Sequence, residues 1–480
     1  MVIRLPPDFI ERIHSQSYID HVTLAAAFEG PVVTSVRVNS LKWLRAVERY
    51  PRVEWEPDGY YLPGRPLFTA DPLFHAGVYY PQESSSMFAG EVFRQLTAGM
   101  TGVRVLDLCG APGGKSTHLA RLIGDDGILV ANEVIRTRAS VLAENITKWG
   151  IGNTMVTNAD PSRFSMLPGF FDVIVADAPC SGEGMFRSPV AVREWSMQNA
   201  RMCSERQRRI VMESWPALRP GGLLIYSTCT FNPAENEENV SWFMEQTGAE
   251  SVPVELPDGS PVVAVRSGNA EGYGFHPGRV NGDGFFIAAI RKPTEASQIR
   301  GMNDSGGRMK AGRGLLYGQG PVLRKVKKEQ TRSASRAFER SEPVALFDRS
   351  RIVMHGDRII ALAADNELFG YIAGRLPVVK PGTTIGELKN NILIPAHDLA
   401  MSVKLREEAW PHHPLSGEEA LAYLRLEAPA AAGMPPGRVI LTYRGVAFGF
   451  ANNLGTRVNN GYPQPWRIRM ERGGAVTEIL

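Results

Sequence analysis

At 480 residues the chain is too long for a single hydrophobic core and is expected to divide into two to four domains. Its 43% hydrophobic and 21% charged residues are those of a soluble globular protein, and four cysteines are too few for a disulfide scaffold, which fits a reducing compartment. A net charge of only +3 excludes a uniformly basic surface, so any nucleic-acid binding must come from local patches.

The N-terminus contains Pro6-Pro7 and no apolar core, so it does not read as a signal peptide. No window of 18 uncharged apolar residues offers a membrane span. A cytoplasmic monomer with no membrane partner is expected. Residues 5–29 read as one or two helices, Val32–Lys42 as a strand and Trp43–Tyr50 as a helix. Residues 1–80 are therefore expected to form a small α+β domain, and Gln82–Ala98 a helix leading out of it.

Residues 81–293 carry alternating patterns: strand 103–108, helix 116–123, strand 127–134, helix 136–149, strand 154–158 and strand 171–177. A long helical stretch 188–218, strand 222–228 and helix 233–247 follow. This alternation predicts a Rossmann-like α/β core, a mostly parallel sheet with helices on both faces. Asn232, Pro233 and Glu235 read as the N-cap, first position and capping-box acid of the last helix. Gly282–Ile290 is expected as a final antiparallel strand. Residues 291–340 hold 13 Lys/Arg against 4 Asp/Glu, which leaves a net −6 elsewhere, so 294–340 reads as a basic flexible linker. Residues 341–480 are expected to form a β-rich domain with strands at Ile352–Val353, Arg358–Ala363, Leu368–Ile372, Arg438–Tyr443 and Val446–Phe450, around a helix at Gly417–Leu426. Arg457, Tyr462, Trp466, Arg467 and Arg469 at its end are candidate RNA contacts. On this reading the C-terminal domain governs RNA affinity and target choice and leaves cofactor binding untouched.

The glycine-rich run Cys109-Gly110-Ala111-Pro112-Gly113-Gly114-Lys115-Ser116 joins the first core strand to its helix. It lacks the first glycine of a Walker phosphate loop and contains no Gly-x-Gly-x-x-Gly, which disfavours both nucleoside triphosphate and dinucleotide. Glu133 after the second strand is placed for ribose hydroxyls, and Asp160 after the third for an adenine amino group. A single adenosine without a phosphate cradle points to S-adenosylmethionine; the rival reading makes each acid a helix cap. Cys203, mid-helix, and Cys109 read as structural. Cys180, in Asp177-Ala178-Pro179-Cys180-Ser181-Gly182, and Cys229, in Ser227-Thr228-Cys229-Thr230, each follow a strand at the ligand-binding edge, where a thiolate suits covalent catalysis. A methyl donor and two thiols match methylation of pyrimidine carbon 5, with Asp177 placed to assist at ring nitrogen 3. Which thiol attacks is left open by their spacing.

These motifs, with Arg37-Val38-Asn39, Gly184-Met185-Phe186-Arg187 and Gly284-Phe285-Phe286, resemble the Nop/Sun family of RNA cytosine-5 methyltransferases. Gly449–Pro463 is similar to the PUA-like RNA-binding domain of the bacterial ribosomal RNA members. The resemblance implies Cys229 as nucleophile, Cys180 as the thiol that helps release product, and Lys115 and Asp177 lining the target cytosine. It further implies cofactor binding by Cys109, Gly110, Ala111, Pro112, Gly113, Gly114, Lys115, Glu133, Arg138, Asp160 and Asp177, no metal, an RNA-binding N-terminal domain, and 16S ribosomal RNA as substrate. Gly110 stands where alanine is usual, a change expected to matter little. The alternatives are the same chemistry on tRNA or 23S RNA, and a non-catalytic ribosome-assembly factor, which two strand-end thiols disfavour.

Overall fold

The computed structural model describes residues 4–294, 339–390, 392–469 and 475–480, so residues 295–338 of the expected linker lie outside the described residues. The N-terminal part begins with helices α1 (Pro7–Ser15) and α2 (His21–Glu29). Strands β1 (Thr34–Val38), β2 (Arg52–Val53), β3 (Glu56–Leu62) and β4 (Tyr79–Pro81) follow, with the short helix α3 (Pro72–His75) between the last two. They pair in the order β2-β3-β1-β4. Residues 43–50 are not helical. The Asn39 carbonyl accepts the Lys42 and Trp43 amides, and the Arg45 guanidinium lies 4.9 Å over the buried Trp43 ring, which holds the segment as a turn.

The N-terminal part is fastened to the core by two buried residues, one in its first strand and one just after it. Arg37 donates to Gln82 Oε1, the Gly114 carbonyl and Thr117 Oγ1, and its guanidinium lies 4.5 Å over Trp149. Asn39 donates to the Gly77 and Trp149 carbonyls. A cation buried this far from water persists only with such a set of acceptors.

After α4 (Phe88–Leu96) the core runs β5 (Arg104–Asp107), α5 (Gly114–Leu122), β6 (Ile128–Asn132), α6 (Arg136–Trp149), β7 (Thr154–Thr157), β8 (Phe171–Asp177), α7 (Pro189–Glu194), α8 (Met197–Ser214), β9 (Leu218–Thr228), α9 (Glu237–Thr247), β10 (Glu250–Ser251), β11 (Val263–Ser267), β12 (Ala270–Phe275) and β13 (Phe285–Arg291). The alternating strands are parallel and the last one antiparallel, as the pattern predicts; they stand in the order β9-β8-β5-β6-β7, with β13 beside β9. Successive residues of β5 enter different cores: Val105 packs with Leu119 and Leu142 on one face, Leu106 with Ile210 and Val240 on the other. The expected single helix over 188–218 is broken at Trp195, whose side chain is buried, and Ser196 caps α8 by accepting the Asn199 amide.

The C-terminal part contains two four-stranded sheets. One comprises β14 (Ile352–His355), β15 (Arg358–Leu362), β17 (Gly382–Lys389) and β18 (Ile392–Pro395); the other comprises β19 (His412–Pro414), β20 (Gly437–Tyr443), β21 (Val446–Asn453) and β22 (Val458–Asn460). Leu368–Ile372 is not a strand; it lies in the helix Asn366–Ala373, which Asp365 starts by accepting the Glu367 and Leu368 amides. Two further features depart from expectation. Tyr462 is buried and Trp466 half-buried, each edge-on to the His397 ring at 5.2 and 5.3 Å, with the Lys148 ammonium 5.6 Å over Trp466. These aromatics therefore pack at the junction with the core, whereas Arg457, Arg467 and Arg469 stay exposed. In addition, β16 (Val378–Lys380) joins the central sheet as its edge strand, antiparallel to β7, and the Pro377 carbonyl accepts the Asn158 amide at 3.0 Å.

β16 covers the edge of β7 and so supports the loop that carries Asp160, which leads us to expect that cofactor binding depends on the C-terminal part. A chain ending at residue 340 leaves β7 as an open edge. It is expected to melt at least about 5 °C lower than the full chain and to bind S-adenosylmethionine more weakly, as read by thermal unfolding and calorimetry.

Candidate active site

The register of the parallel sheet decides what meets. Asp107 pairs with Ala131 and Val175, Asn132 with Thr157, and Asp177 with Ser227, so the loops after five strands leave one edge at nearly the same height. Between them lies a cavity of about 600 Å³ lined by Cys109, Ala111, Lys115, Glu133, Arg138, Asp160, Asp177, Cys180 and Cys229. A larger cleft, about 950 Å³, opens between β2 and the turn Leu256–Pro261 and holds none of these groups.

The glycine loop lies partly behind this cavity. The Gly110 amide donates to the Asn132 carbonyl, the Pro112 carbonyl accepts Asn145 Nδ2, and the Gly113 and Gly114 carbonyls accept the Thr117 hydroxyl. Gly110, Pro112, Gly113 and Gly114 thus shape the wall without lining it. Gly113 has φ +123°, a conformation closed to other residues, and it turns the chain into α5. A Cβ on Gly110 would stand 2.7 Å from Ser116 Oγ, so the difference from alanine is not neutral: Ser116 would have to turn from Asp107.

Glu133 is buried; its Oε1 accepts the Ile135 amide and its Oε2 pairs with Arg138 at 3.2 Å. Arg138 also donates to the Ala111 carbonyl, so it ties the loop to Glu133. Asp160 is exposed and one of its oxygens caps the turn Pro161–Met166 through Ser162, which holds it below the ordinary carboxylate range. Asp160 thus both caps a turn and lines the cavity, whereas Glu133, which does not cap α6, is held by the Ile135 amide and Arg138. Val134 and Ile135, about half exposed, add an apolar rim. Two carboxylates at neighbouring strand ends beside an apolar rim fit an adenosine, and the volume admits S-adenosylmethionine with a base beside it.

Lys115 Nζ stands 2.9 Å from Asp177 Oδ2, whose other oxygen accepts Ser227 Oγ. Cys180 Sγ lies 2.8 Å from Cys229 Sγ and accepts the Cys229 amide at 3.2 Å. The sulfur–sulfur contact with Cys229, together with burial, pushes the Cys180 thiol well above its ordinary range, and the Cys229 amide works against that shift. Cys203 is buried in α8 and pushed up to about 11 by burial. Cys109 lines the cavity, but burial raises its thiol, as a structural role requires.

Two carboxylates here escaped the sequence reading. Asp107, at the end of β5, is fully buried, accepts Ser116 Oγ at 2.6 Å and is pushed up to about 7 by burial. Glu235 was masked by its capping-box pattern; its side chain instead reaches Ser181. Arg206 and Arg209 of α8 also line the cavity, with no signal in the pattern to single them out.

Ribosomal RNA small subunit methyltransferase F of Cronobacter sakazakii is 31% identical over 461 residues, which span 92% of this chain and 91% of that protein. The chain belongs to the family of 16S ribosomal RNA methyltransferases RsmF. Its family models agree: 16S rRNA methyltransferase RsmB/F matches residues 96–291, the N-terminal domain of RsmF residues 5–84, and the RsmF PUA domain residues 411–468. The enzyme of the same name from Erwinia tasmaniensis is 29% identical over 96% of each chain. The solved structure of NSun6 from Pyrococcus horikoshii, with SFG, shares the fold at a TM-score of 0.50 and 20% identity, covering 62% of this chain and all of that one. RsmF-family proteins are S-adenosylmethionine-dependent methyltransferases. Among the described residues no helix is long and apolar enough to cross a membrane.

The Asp107 carboxyl supplies a pH signature. Its pKa in the folded chain lies above that of the unfolded chain, so the folded state binds the extra proton and stability is lost as pH rises from about 4 to about 7. Asp107→Asn keeps an acceptor for Ser116 and removes this loss. Melting temperature measured across that range should fall less steeply for the variant than for the parent.

Proposed function

We propose that this chain methylates carbon 5 of a cytosine in small-subunit ribosomal RNA through a covalent bond between Cys229 and carbon 6 of the base. The observation that supports this most is the meeting of Cys229 and Cys180 at 2.8 Å, next to the Lys115–Asp177 pair. Carbon 5 of a neutral cytosine is a poor nucleophile. Addition of the Cys229 thiolate to carbon 6 saturates the carbon 5–carbon 6 double bond and leaves its electron pair as an enamine able to attack from carbon 5. S-adenosylmethionine, held by the loop 109–115, Glu133, Arg138 and Asp160, supplies the electrophilic methyl.

Asp177 is assigned to ring nitrogen 3, where in its protonated form it donates and neutralises the negative charge that builds on the ring during addition. Lys115 keeps Asp177 in position and offers a positive charge beside Cys229. Once carbon 5 carries the methyl, a base takes its remaining proton, the freed electron pair restores the carbon 5–carbon 6 double bond, and the carbon 6–sulfur bond breaks to return the Cys229 thiolate. Cys180, in contact with the attacking sulfur, serves in this release. The base has to be drawn out of its stack, at a cost of a few kcal/mol that contacts elsewhere must offset. The exposed Arg457, Arg467 and Arg469 of the PUA domain, the N-terminal domain and the basic segment with Arg324-Lys325 and Lys327-Lys328 are the proposed sources. We take the enzyme to act as a cytoplasmic monomer.

Cys229→Ala should abolish both methyl transfer and RNA–protein adducts. Cys180→Ala should accumulate the adduct, visible with labelled RNA on a denaturing gel. The opposite pattern reverses the two roles. Bisulfite mapping of ribosomal RNA from cells lacking the protein identifies the base.

Glu133→Ala removes the proposed acceptor of the ribose hydroxyls. Charge-assisted hydrogen bonds are worth roughly 1.5–3 kcal/mol, so S-adenosylmethionine affinity should fall about ten- to a hundredfold in calorimetry. Unchanged affinity would make Glu133 purely a partner of Arg138.

A further inference from the structure

The chain departs from its own local pattern at Glu235. Asn232-Pro233-Ala234-Glu235 has the makings of a capping box, yet α9 starts only at Glu237 and Asn232 Oδ1 accepts the Ala234 amide instead. The Glu235 side chain turns inward. It accepts the Ser181 amide at 2.9 Å, the Ser181 hydroxyl at 2.5 Å and Gln207 Nε2 at 2.9 Å.

Ser181 directly follows Cys180, and its hydroxyl meets Thr230 Oγ1, directly after Cys229, at 2.9 Å. Gln207 Nε2 also donates to the Pro179 carbonyl, directly before Cys180. One buried carboxylate thereby binds the loops of both thiols, and the groups that face its oxygens are donors, a setting that favours the anion. The ionisable groups around it are Cys180, Cys203, Tyr226, whose hydroxyl donates to the Glu235 carbonyl, and Glu183, paired with Arg12 at 2.6 Å. The Lys115 ammonium, paired with Asp177, is within electrostatic reach of Cys229.

We propose that Glu235 is a positioning residue that polarises the thiol pair, keeping the shared proton on Cys180 and leaving the negative charge on Cys229. Two sulfurs 2.8 Å apart cannot both be anionic without strong repulsion, so near neutral pH the pair holds at most one charge. An anion behind Cys180 and a cation within reach of Cys229 place that charge on Cys229. Glu235 is pushed up to about 7, chiefly by burial, so its charge and the polarisation grow as pH rises through neutrality. The inference rests on the reading that Cys229 attacks the base, and it gives that reading an electrostatic cause.

The test needs neither RNA nor S-adenosylmethionine. The full-length protein is alkylated briefly with iodoacetamide at several pH values between 6 and 8.5, where each thiolate displaces iodide, and the two cysteine peptides are quantified by mass spectrometry. In the parent, Cys229 should react about tenfold or more faster than Cys180, a preference that steepens through pH 7. Glu235→Gln keeps the size and removes the charge; the preference should fall about tenfold and lose its pH dependence. Ser181→Ala keeps the Glu235 charge and removes only the hydroxyl's hydrogen bonds to Glu235 and Thr230, and it should retain the preference. A Glu235→Gln protein with the parental preference at every pH overturns the proposal, as does equal loss in both variants. Should that variant not fold, a parental preference that is flat from pH 6 to 8.5 overturns it equally. Faster alkylation of Cys180 in the parent would instead sink the assignment of Cys229 as nucleophile.

Discussion

The pairing of β8 with β9 is the constraint on which the site depends. With Asp177 opposite Ser227, the chain needs three residues to reach Cys180 on one strand and two to reach Cys229 on the other, and the thiols arrive in contact. A slip of one residue in a sheet reverses the face of every side chain, so it would bury one thiol and expose the other. The register is held beneath the loops by a continuous polar cluster. Tyr226 donates to Gln207, Asn239 donates to Gln207, and Thr228 donates to Asn236, which in turn holds the Thr230 carbonyl. Buried networks of this kind rigidify when every member is satisfied.

The parts around the core act as clamps on the same edge. Arg37 reaches from the N-terminal sheet to the first turn of α5, the helix that carries Lys115. Arg12 of α1 pairs with Glu183, which also accepts the Trp195 indole and the Phe231 amide. At the other end of the sheet β16 closes β7, and Asp71 accepts the Ile479 amide almost at the end of the chain. Regions that a linear reading separates into RNA-binding and catalytic domains are in this way mechanically continuous with the cofactor wall.

Where local rules failed, a tertiary partner outbid the local one. Glu235 left its capping box for Ser181 and Gln207 because a carboxylate satisfied by buried donors gains more than one capping an exposed turn. Tyr462 and Trp466 left the surface because aromatic area is worth most in a packed junction. Leu368–Ile372 became helical because Asp365 precedes it, a signal visible in the sequence but outweighed by the apolar run.

The sequence by itself determined the α/β core, the order of its strands along the chain, the antiparallel return of β13, the strand-end placement of Glu133, Asp177, Cys180 and Cys229, and the methyltransferase chemistry those residue types imply. Periodicity and turn residues are local, and they survive in any surroundings that bury the same faces. Only the tertiary structure decided the contact between the two thiols, the role of Glu235 beneath them, the sharing of Glu133 between Arg138 and the cavity, and the entry of β16 into the central sheet. All but the Glu133–Arg138 pair join residues far apart in the chain, and no local propensity encodes which distant donor a buried carboxylate or an open strand edge will find.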